Sequence, residues 1–498
     1  MSIRAGAPCA ALIVSLACAH TASAATCESL SSLSLPNTTF TLVQTVPAGG
    51  FPPQKLPAFC RVAATLKPSS DSDIKMEVWL PVEGWNGKLL AVGNGGWAGS
   101  IEHGAMGQSL ARGYATASTD TGHEGEGGSF AFGHPEKLID YAYRSEHEMT
   151  VVAKAVIAAY YGNGPRFSYF NGCSAAGKQG LKEAQRFPTD YDGIIAGAPG
   201  ADWTGRATQS MRVAQAMHKT AASYIPPSKY PVIHKAVVDR CDALDGVKDG
   251  VLDNPKSCRF DPGVLACTGG AGSDESSCLT PPQVETARQV YATTTNPKTK
   301  REIPGLEPGS ELGWATWGGP NPLPLGADHF KYVVYKDPQW DFRTLNFDRD
   351  IVRAEEIDNG LINALDPNLK PFFDRGGKLL QYHGWSDQQI APGNSVQYYT
   401  RVRETLGGAS KIDASYRLFM MPGMAHCRGG EGPNTFDAVA ALEQWVEQGK
   451  APDQIVASLS SREGKVVRTR PLCPYPQQAA YKGSGSTDEA ANFTCKAP

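Results

Sequence analysis

Phe170-Asn171-Gly172-Cys173-Ser174-Ala175-Ala176-Gly177-Lys178 is the stretch on which the fold turns. Before it, Arg166 to Phe170 is short, aromatic and strand-like; after it, Lys178 to Arg186 has helix-forming composition. Small residues fill the corner between the two. A serine on such a strand-to-helix turn is a nucleophile elbow, in which glycines let strand and helix approach and the backbone presents the hydroxyl. The usual Gly-x-Ser-x-Gly spacing is imperfect here, because Ala176 stands at the second glycine and Gly177 follows one place later. Alone the match is weak, and Ser174 gains weight from two later stretches.

Lys378 to Tyr382 reads as a strand leading to His383-Gly384-Trp385-Ser386-Asp387, and Tyr416 to Met421 as a strand leading to Pro422-Gly423-Met424-Ala425-His426-Cys427. Ser174, Asp387 and His426 thus follow three strands in the order Ser, Asp, His. That order belongs to the α/β-hydrolase arrangement and differs from the chymotrypsin-like and subtilisin-like orders. In a parallel sheet the three loops leave the same carboxyl edge. A hydroxyl is a poor nucleophile until an imidazole takes its proton, and the imidazole needs a carboxylate to fix its tautomer and stabilise its cation. His383 is a rival base, but it precedes the acid in the same loop and would need a different acid. Cys173 precedes the serine and Cys427 follows the histidine, so a bond between them would clamp both loops, at about 5 kcal/mol in the chain-entropy model.

Elsewhere Ile74 to Leu80 alternates as a half-buried strand. Lys88 to Val92 is another, running into Gly93-Asn94-Gly95-Gly96-Trp97-Ala98-Gly99. A glycine-rich loop there brings backbone N–H groups close to a ligand, and the N–H groups of Ala175 and Gly96 are the candidate oxyanion donors. Tyr114 to Ser118 is a strand ending near His123, read as a hydrogen-bonded structural histidine. Cys27 to Leu66 reads as a loop-rich lead-in, Glu136 to Tyr161 as helical, Tyr191 to Ala196 as a strand and Thr435 to Glu447 as an amphipathic helix. Strands alternating with helices predict an α/β fold with a mostly parallel sheet covered on both faces.

The 498 residues exceed one ordinary core. The expected division is a signal peptide over 1–24, the first part of the hydrolase core over 25–202, a large insertion over 203–372, and the second part of the core over 373–498. The insertion is irregular and rich in Pro and Gly, with Trp314, Trp317, Phe330, Tyr332, Tyr335, Trp340 and Phe342 divided between its own packing and a cleft. Arg4, the apolar Ala10 to Ala17 and Ala22-Ser23-Ala24 form the secretory pattern. A lipoprotein signal ending at Cys18 competes, but Ser15 stands where an apolar residue is usual. The destination is the periplasm or the exterior. No later apolar run has the length of a membrane span. A net charge of −3 gives no electrostatic reason for a nucleic-acid or anionic-membrane partner.

Ten of the twelve cysteines lie beyond the leader: Cys27, Cys60, Cys173, Cys241, Cys258, Cys267, Cys278, Cys427, Cys473 and Cys495. An even set in an exported chain reads as five disulfides whose pairing the sequence does not fix. Cys241 with Cys258 and Cys267 with Cys278 are short-range candidates, and Cys495 would tie the polar tail to Cys473. No pair of cysteines or histidines has zinc-ligand spacing.

Cys173-Ser174, Asp387 and His426-Cys427, the Gly-Asn-Gly-Gly loop and the acidic cluster Cys241 to Asp253 together resemble the tannase and feruloyl esterase family of secreted serine esterases. The resemblance spans essentially the whole mature chain. It implies an α/β-hydrolase fold with a lid insertion and cleavage of phenolic-acid esters, with a related branch acting on the mono-hydroxyethyl ester of terephthalate. Family elbows usually read Gly-Cys-Ser-x-Gly-Gly, so Ala176 is a departure that bears on the turn geometry. Read bare, the Asp-Gly repeats of the cluster are turns as much as a site. The resemblance implies a structural calcium on Asp242, Asp245 and Asp249 with the carbonyls of Val247 and Val251, the oxygen set a hard cation takes. No organic cofactor is expected, and oligomeric state has no signature.

The expected substrate is a small aromatic ester cleaved through an acyl-enzyme on Ser174, with feruloyl-type esters ahead of gallates (a tannase) and terephthalate monoesters. A terephthalate monoester needs a cation for its free carboxylate, and Arg343, Arg349 and Arg353 of the insertion are the candidates. The reading from another class is a non-catalytic binding protein on a hydrolase fold; the presence of all three triad members weighs against it.

Overall fold

The computed structural model describes Met1, residues 26–269 and residues 275–497, so the expected leader lies, Met1 apart, outside the described residues. One nine-stranded sheet organises them: β1 (Thr38–Val46), β2 (Phe59–Leu66), β3 (Ile74–Pro81), β4 (Lys88–Val92), β5 (Ala115–Thr119), β6 (Phe167–Cys173), β7 (Gly193–Gly197), β8 (Lys378–Gly384) and β9 (Tyr416–Met421). Their spatial order is β1-β2-β3-β5-β4-β6-β7-β8-β9. The pairings from β1 to β5 are antiparallel, and those from β5 through β4 to β9 are parallel. The parallel half has near-continuous burial, as a sheet covered on both faces requires.

Helix Ser145–Tyr161 covers one face, where Met149, Val156 and Ile157 share a core with Val78, Phe170 and Leu418. Helix Ala438–Gln448 covers the other, with Leu442 and Trp445 against Tyr169, Ile195 and Phe419. It begins later than the expected Thr435, because the Asp437 side chain accepts the Ala440 N–H at 2.9 Å while Thr435 bridges to Ser458.

The lead-in is not loop-rich: β1 and β2 both lie within Cys27 to Leu66. In β1 threonines occupy much of the solvated face, so its signal is β-branching more than apolar alternation. The tail likewise forms two hairpins, Ile455–Ser460 with Val466–Leu472 and Gln478–Tyr481 with Phe493–Lys496. Five disulfides join Cys27 to Cys60, Cys173 to Cys427, Cys241 to Cys258, Cys267 to Cys278 and Cys473 to Cys495. Among the described residues no helix is long and apolar enough to cross a membrane.

Between β7 and β8 the described residues add no strand to the main sheet. Helices Trp203–Met217, Tyr230–Cys241, Pro281–Tyr291 and Phe347–Asp358 carry this segment. Trp314 and Trp317 pack with Ile233 and Val284, while Phe330 and Trp340 pack with Met211 and Leu345. These four aromatics are therefore cores of the segment itself.

The corner after β6 accommodates its unusual alanine. A Cβ at Gly172 would lie 2.5 Å from the Ala176 Cβ, and one at Gly93 would lie 2.9 Å from it. The Ala176 methyl fills space that two glycines leave open. Gly172→Ala is therefore expected to destabilise the fold by about 1–3 kcal/mol through overpacking, measured by urea unfolding. An unchanged midpoint would contradict this packing.

Candidate active site

Ser174 is the last residue before helix Ala175–Arg186 and has φ 69° and ψ −125°, a backbone state that side chains rarely adopt. Neighbours hold it there. Its N–H donates to the Gly197 carbonyl at 2.9 Å, and its own carbonyl accepts from Lys178 N–H at 3.1 Å and Gly200 N–H at 3.0 Å. The end of β7 and the first turn of the helix thus set the serine. Ala175 opens that helix, and amides at this position have no intrahelical partner.

The glycine-rich loop after β4 is fastened to the same helix. Asn94 N–H donates to Gln179 Oε1 at 3.1 Å, Gln179 Nε2 donates to Asn94 Oδ1 at 3.2 Å, and Asn94 Nδ2 donates to the Thr119 carbonyl at 2.7 Å. Gly96 has φ 55°, and its carbonyl accepts the Tyr141 hydroxyl at 2.5 Å. Lys178 Nζ sits 4.3 Å from the centre of the Tyr141 ring, and burial pushes its pKa down to about 7. His123 is buried, stacks on Phe130 at 3.6 Å, and donates from Nε2 to the Trp97 carbonyl at 2.6 Å, consistent with a structural residue.

Asp387 and His426 meet. His426 Nδ1 donates to Asp387 Oδ2 at 2.7 Å, and Asp387 Oδ1 accepts from Gln389 N–H at 2.7 Å and Ile390 N–H at 2.9 Å. His383, the rival base, meets the same carboxylate oxygen as His426: its Nε2 is 3.0 Å from Asp387 Oδ2 and its Nδ1 is 2.7 Å from Ser395 Oγ. Fully buried, it braces the acid instead of facing the cleft. Burial alone would raise the Asp387 pKa, but the His426 and His383 imidazoles outweigh it and hold the carboxyl well below the usual range. The Cα atoms of Cys173 and Cys427 are 6.0 Å apart, so those of Ser174 and His426 are separated by at most about 14 Å.

A family model described as tannase and feruloyl esterase matches residues 60–496. The chain belongs to the tannase and feruloyl esterase family. It is a carboxylic ester hydrolase of that family. It is 39% identical to an uncharacterized esterase of Xanthomonas campestris, covering 95% of this chain and 92% of the relative. It is 35% identical to a probable feruloyl esterase B-2 of Neosartorya fischeri, covering 88% and 86%. The solved structure of feruloyl esterase B from Aspergillus oryzae superposes with a TM-score of 0.89 at 32% identity, covering 94% of this chain and 99% of that one. Tannin acyl hydrolase from Aspergillus niger, at 22% identity with a TM-score of 0.72 and coverage of 94% and 93%, shares the fold.

At the elbow, Gly172 and Gly93 make room for the Ala176 methyl. The acidic cluster is a compact loop. Asp245 Oδ1 accepts Val247 N–H at 2.8 Å and Asp249 Oδ1 accepts Val251 N–H at 3.2 Å. Asp245, Val247, Asp249 and Val251 line one small cavity together with Asp253, a member of the cluster outside the expected ligand set. Asp242 does not line it; its carboxylate accepts the N–H groups of Asp249 and Gly250 instead. Burial, then the neighbouring carboxylates, push Asp245 up to about 6, and burial with Asp245 pushes Asp253 up to about 7. Arg470 partners Asp249. Among the described residues no three acidic, His or Cys side chains converge into a cage of their own. Arg470 lines the same cavity, so part of the carboxylate charge is already met; backbone oxygens would have to complete a site, and an all-oxygen donor set is the kind a hard dication takes.

Arg343 and Arg349 are exposed and already paired with Asp341 and Asp350, and Arg353 lies over the Tyr335 ring. A different ion pair ties the segment to the histidine loop: His234 Nδ1 meets Glu311 at 2.7 Å and its Nε2 meets Glu431 at 2.6 Å. Sequence spacing gave no sign of it. Burial opposes the imidazolium, but the two carboxylates prevail and push its pKa up to about 9. Its contribution is therefore full below the ordinary histidine value of 6.5 and lost as pH rises through about 9. Because Glu431 is half exposed, screening leaves about 1 kcal/mol. The stability difference between the parent and His234→Gln should vanish by pH 9.5; a difference independent of pH would contradict the clasp.

Proposed function

We propose that this enzyme hydrolyses esters of hydroxylated aromatic acids through an acyl-enzyme on Ser174. The observation that carries the reading is the 2.7 Å bond from His426 to the buried Asp387, on a loop joined by the Cys173–Cys427 disulfide to the serine's loop. With Nδ1 committed to the carboxylate, His426 Nε2 is the site that takes the Ser174 proton as Oγ attacks the ester carbon. The N–H groups of Ala175 and Gly96 receive the negative charge that develops on the carbonyl oxygen. The imidazolium returns its proton to the leaving alkoxide, the alcohol departs, and water repeats the sequence on the acyl-serine. Asp387 remains ionised throughout.

Feruloyl-type esters rank first because feruloyl esterase names recur among relatives that share most of the chain's length. The segment over 203–372 serves as a lid, since Trp97 Nε1 donates to the Leu325 carbonyl at 3.1 Å and draws it over the Gly96 loop. Five disulfides favour an oxidising destination, the periplasm or the exterior. Calcium in the acidic loop, on oxygens of Asp245, Val247, Asp249 and Val251 with Asp242 shaping the turn, would supply charge balance and rigidity to the lid, not chemistry.

Ser174→Ala is expected to lower kcat on methyl ferulate by on the order of 10⁴-fold or more with an unchanged melting profile. Activity within tenfold of the parent would reject the nucleophile. In parallel, kcat/KM for methyl ferulate should exceed that for methyl gallate, mono-hydroxyethyl terephthalate and a short aliphatic ester; an aliphatic preference would reject the aromatic reading. Chelation should lower the melting temperature by about 5 °C while altering kcat little. Indifference to chelator, with no calcium by elemental analysis, would remove the metal.

A further inference from the structure

Arg206 lies in the first turn of helix Trp203–Met217, just beyond the loop that closes β7, and is 4% exposed. Its Nε donates to the Gln389 carbonyl at 3.0 Å, while the Gln389 N–H donates to Asp387 at 2.7 Å. The guanidinium therefore stands against the acid loop. Its other electrostatic neighbours are Tyr141, which holds the Gly96 carbonyl, and the buried His329. That places the charge between the acid loop and the Gly96 loop.

Its one carboxylate partner is Asp387, whose attraction acts from beyond ion-pair distance. Among the described residues no carboxylate comes within ion-pair distance of Arg206, and its two terminal nitrogens take no protein acceptor. Asp387 is already committed to two imidazoles and two amides. The Tyr141 hydroxyl is used by Gly96, and both ring nitrogens of His329 are buried without a partner. Other deeply placed arginines differ: Arg301 meets Asp202 and Glu355, Arg470 meets Asp249, and Arg212 meets the carbonyls of Gln289 and Ala292. A buried guanidinium without a direct ion pair is costly, and its planar donor fork matches an acceptor oxygen.

We infer that Arg206 is a specificity-determining residue that receives an acceptor oxygen carried on the acyl ring of the substrate, a phenolic oxygen or a carboxylate. The inference rests on the aromatic-ester reading above. The competing role is a brace for the acid loop through Gln389, which would be indifferent to ring substituents.

The test compares kcat/KM of the full-length parent and Arg206→Leu on four esters. Methyl ferulate is set against methyl cinnamate, which lacks the ring oxygens, and monomethyl terephthalate against methyl benzoate, which lacks the carboxylate. In Arg206→Leu at least one of these two ratios is expected to fall tenfold or more, chiefly through KM. A fall in the first ratio assigns the phenolic oxygen, and a fall in the second the carboxylate. Equal losses on all four esters, or no loss on any, would overturn the inference. Fluorophosphonate labelling of Ser174 checks each protein, and Arg206→Gln gives the same readout if the leucine variant does not fold. A parent that labels but turns over none of the four esters would overturn the aromatic reading together with this inference. A parent that turns them over, with both ratios unchanged in the variants, would overturn this inference alone.

Discussion

Asp387 is a carboxylate with no exposed surface, and a buried charge must be matched on every lone pair. Four donors do this, three from its own strand and loop and one from the loop after β9. His383 belongs to β8, Gln389 and Ile390 follow in its loop, and His426 comes from the loop after β9. Ser395 orients His383 in turn. The same contacts that make ionisation tolerable also aim the one imidazole that remains near the cleft. Folding and the geometry of the proposed triad are thus one requirement at this residue.

The corner that carries Ser174, the proposed nucleophile, solves a different problem, that of close approach. Strand β6, the helix after Ser174 and the loop after β4 converge so tightly that Gly172, Gly177 and Gly93 could not carry a Cβ without shifts. Gln179 and Asn94 then lock helix and loop with two reciprocal bonds. The oxyanion site proposed on Ala175 and Gly96 is divided between two loops and would need such a lock, because an error of 1 Å in either donor would weaken it.

The parallel half of the fold was legible because burial on both faces writes near-continuous apolar runs, and Lys88–Val92 and Tyr416–Met421 stand as read. β1 was missed because an antiparallel edge with threonines on its wet face lacks that run, whereas β2 is an internal, largely buried strand whose short run was passed over. Ser174, Asp387 and His426 could be read from their place after strands. The His234 clasp and the setting of Arg206 could not, since each depends on side chains brought together from distant segments, and the His383 brace could not because spacing alone does not say which way a ring in the acid's own loop turns. The aromatics of the insertion misled in a simple way: the residue types that suit a cleft also suit a core, and Trp314, Trp317, Phe330 and Trp340 are in cores.

The five disulfides never cross along the chain. Cys173–Cys427 encloses Cys241–Cys258 and Cys267–Cys278, while the other two pairs lie outside it. A protease that nicks the enclosed segment at any exposed turn therefore leaves Ser174 and His426 on one covalent molecule. The part of the chain richest in irregular loops, where cleavage concentrates, is the part whose severing cannot release either half of the site. In surroundings populated by hydrolytic enzymes, such nesting lets the segment be cut without the catalytic loops drifting apart.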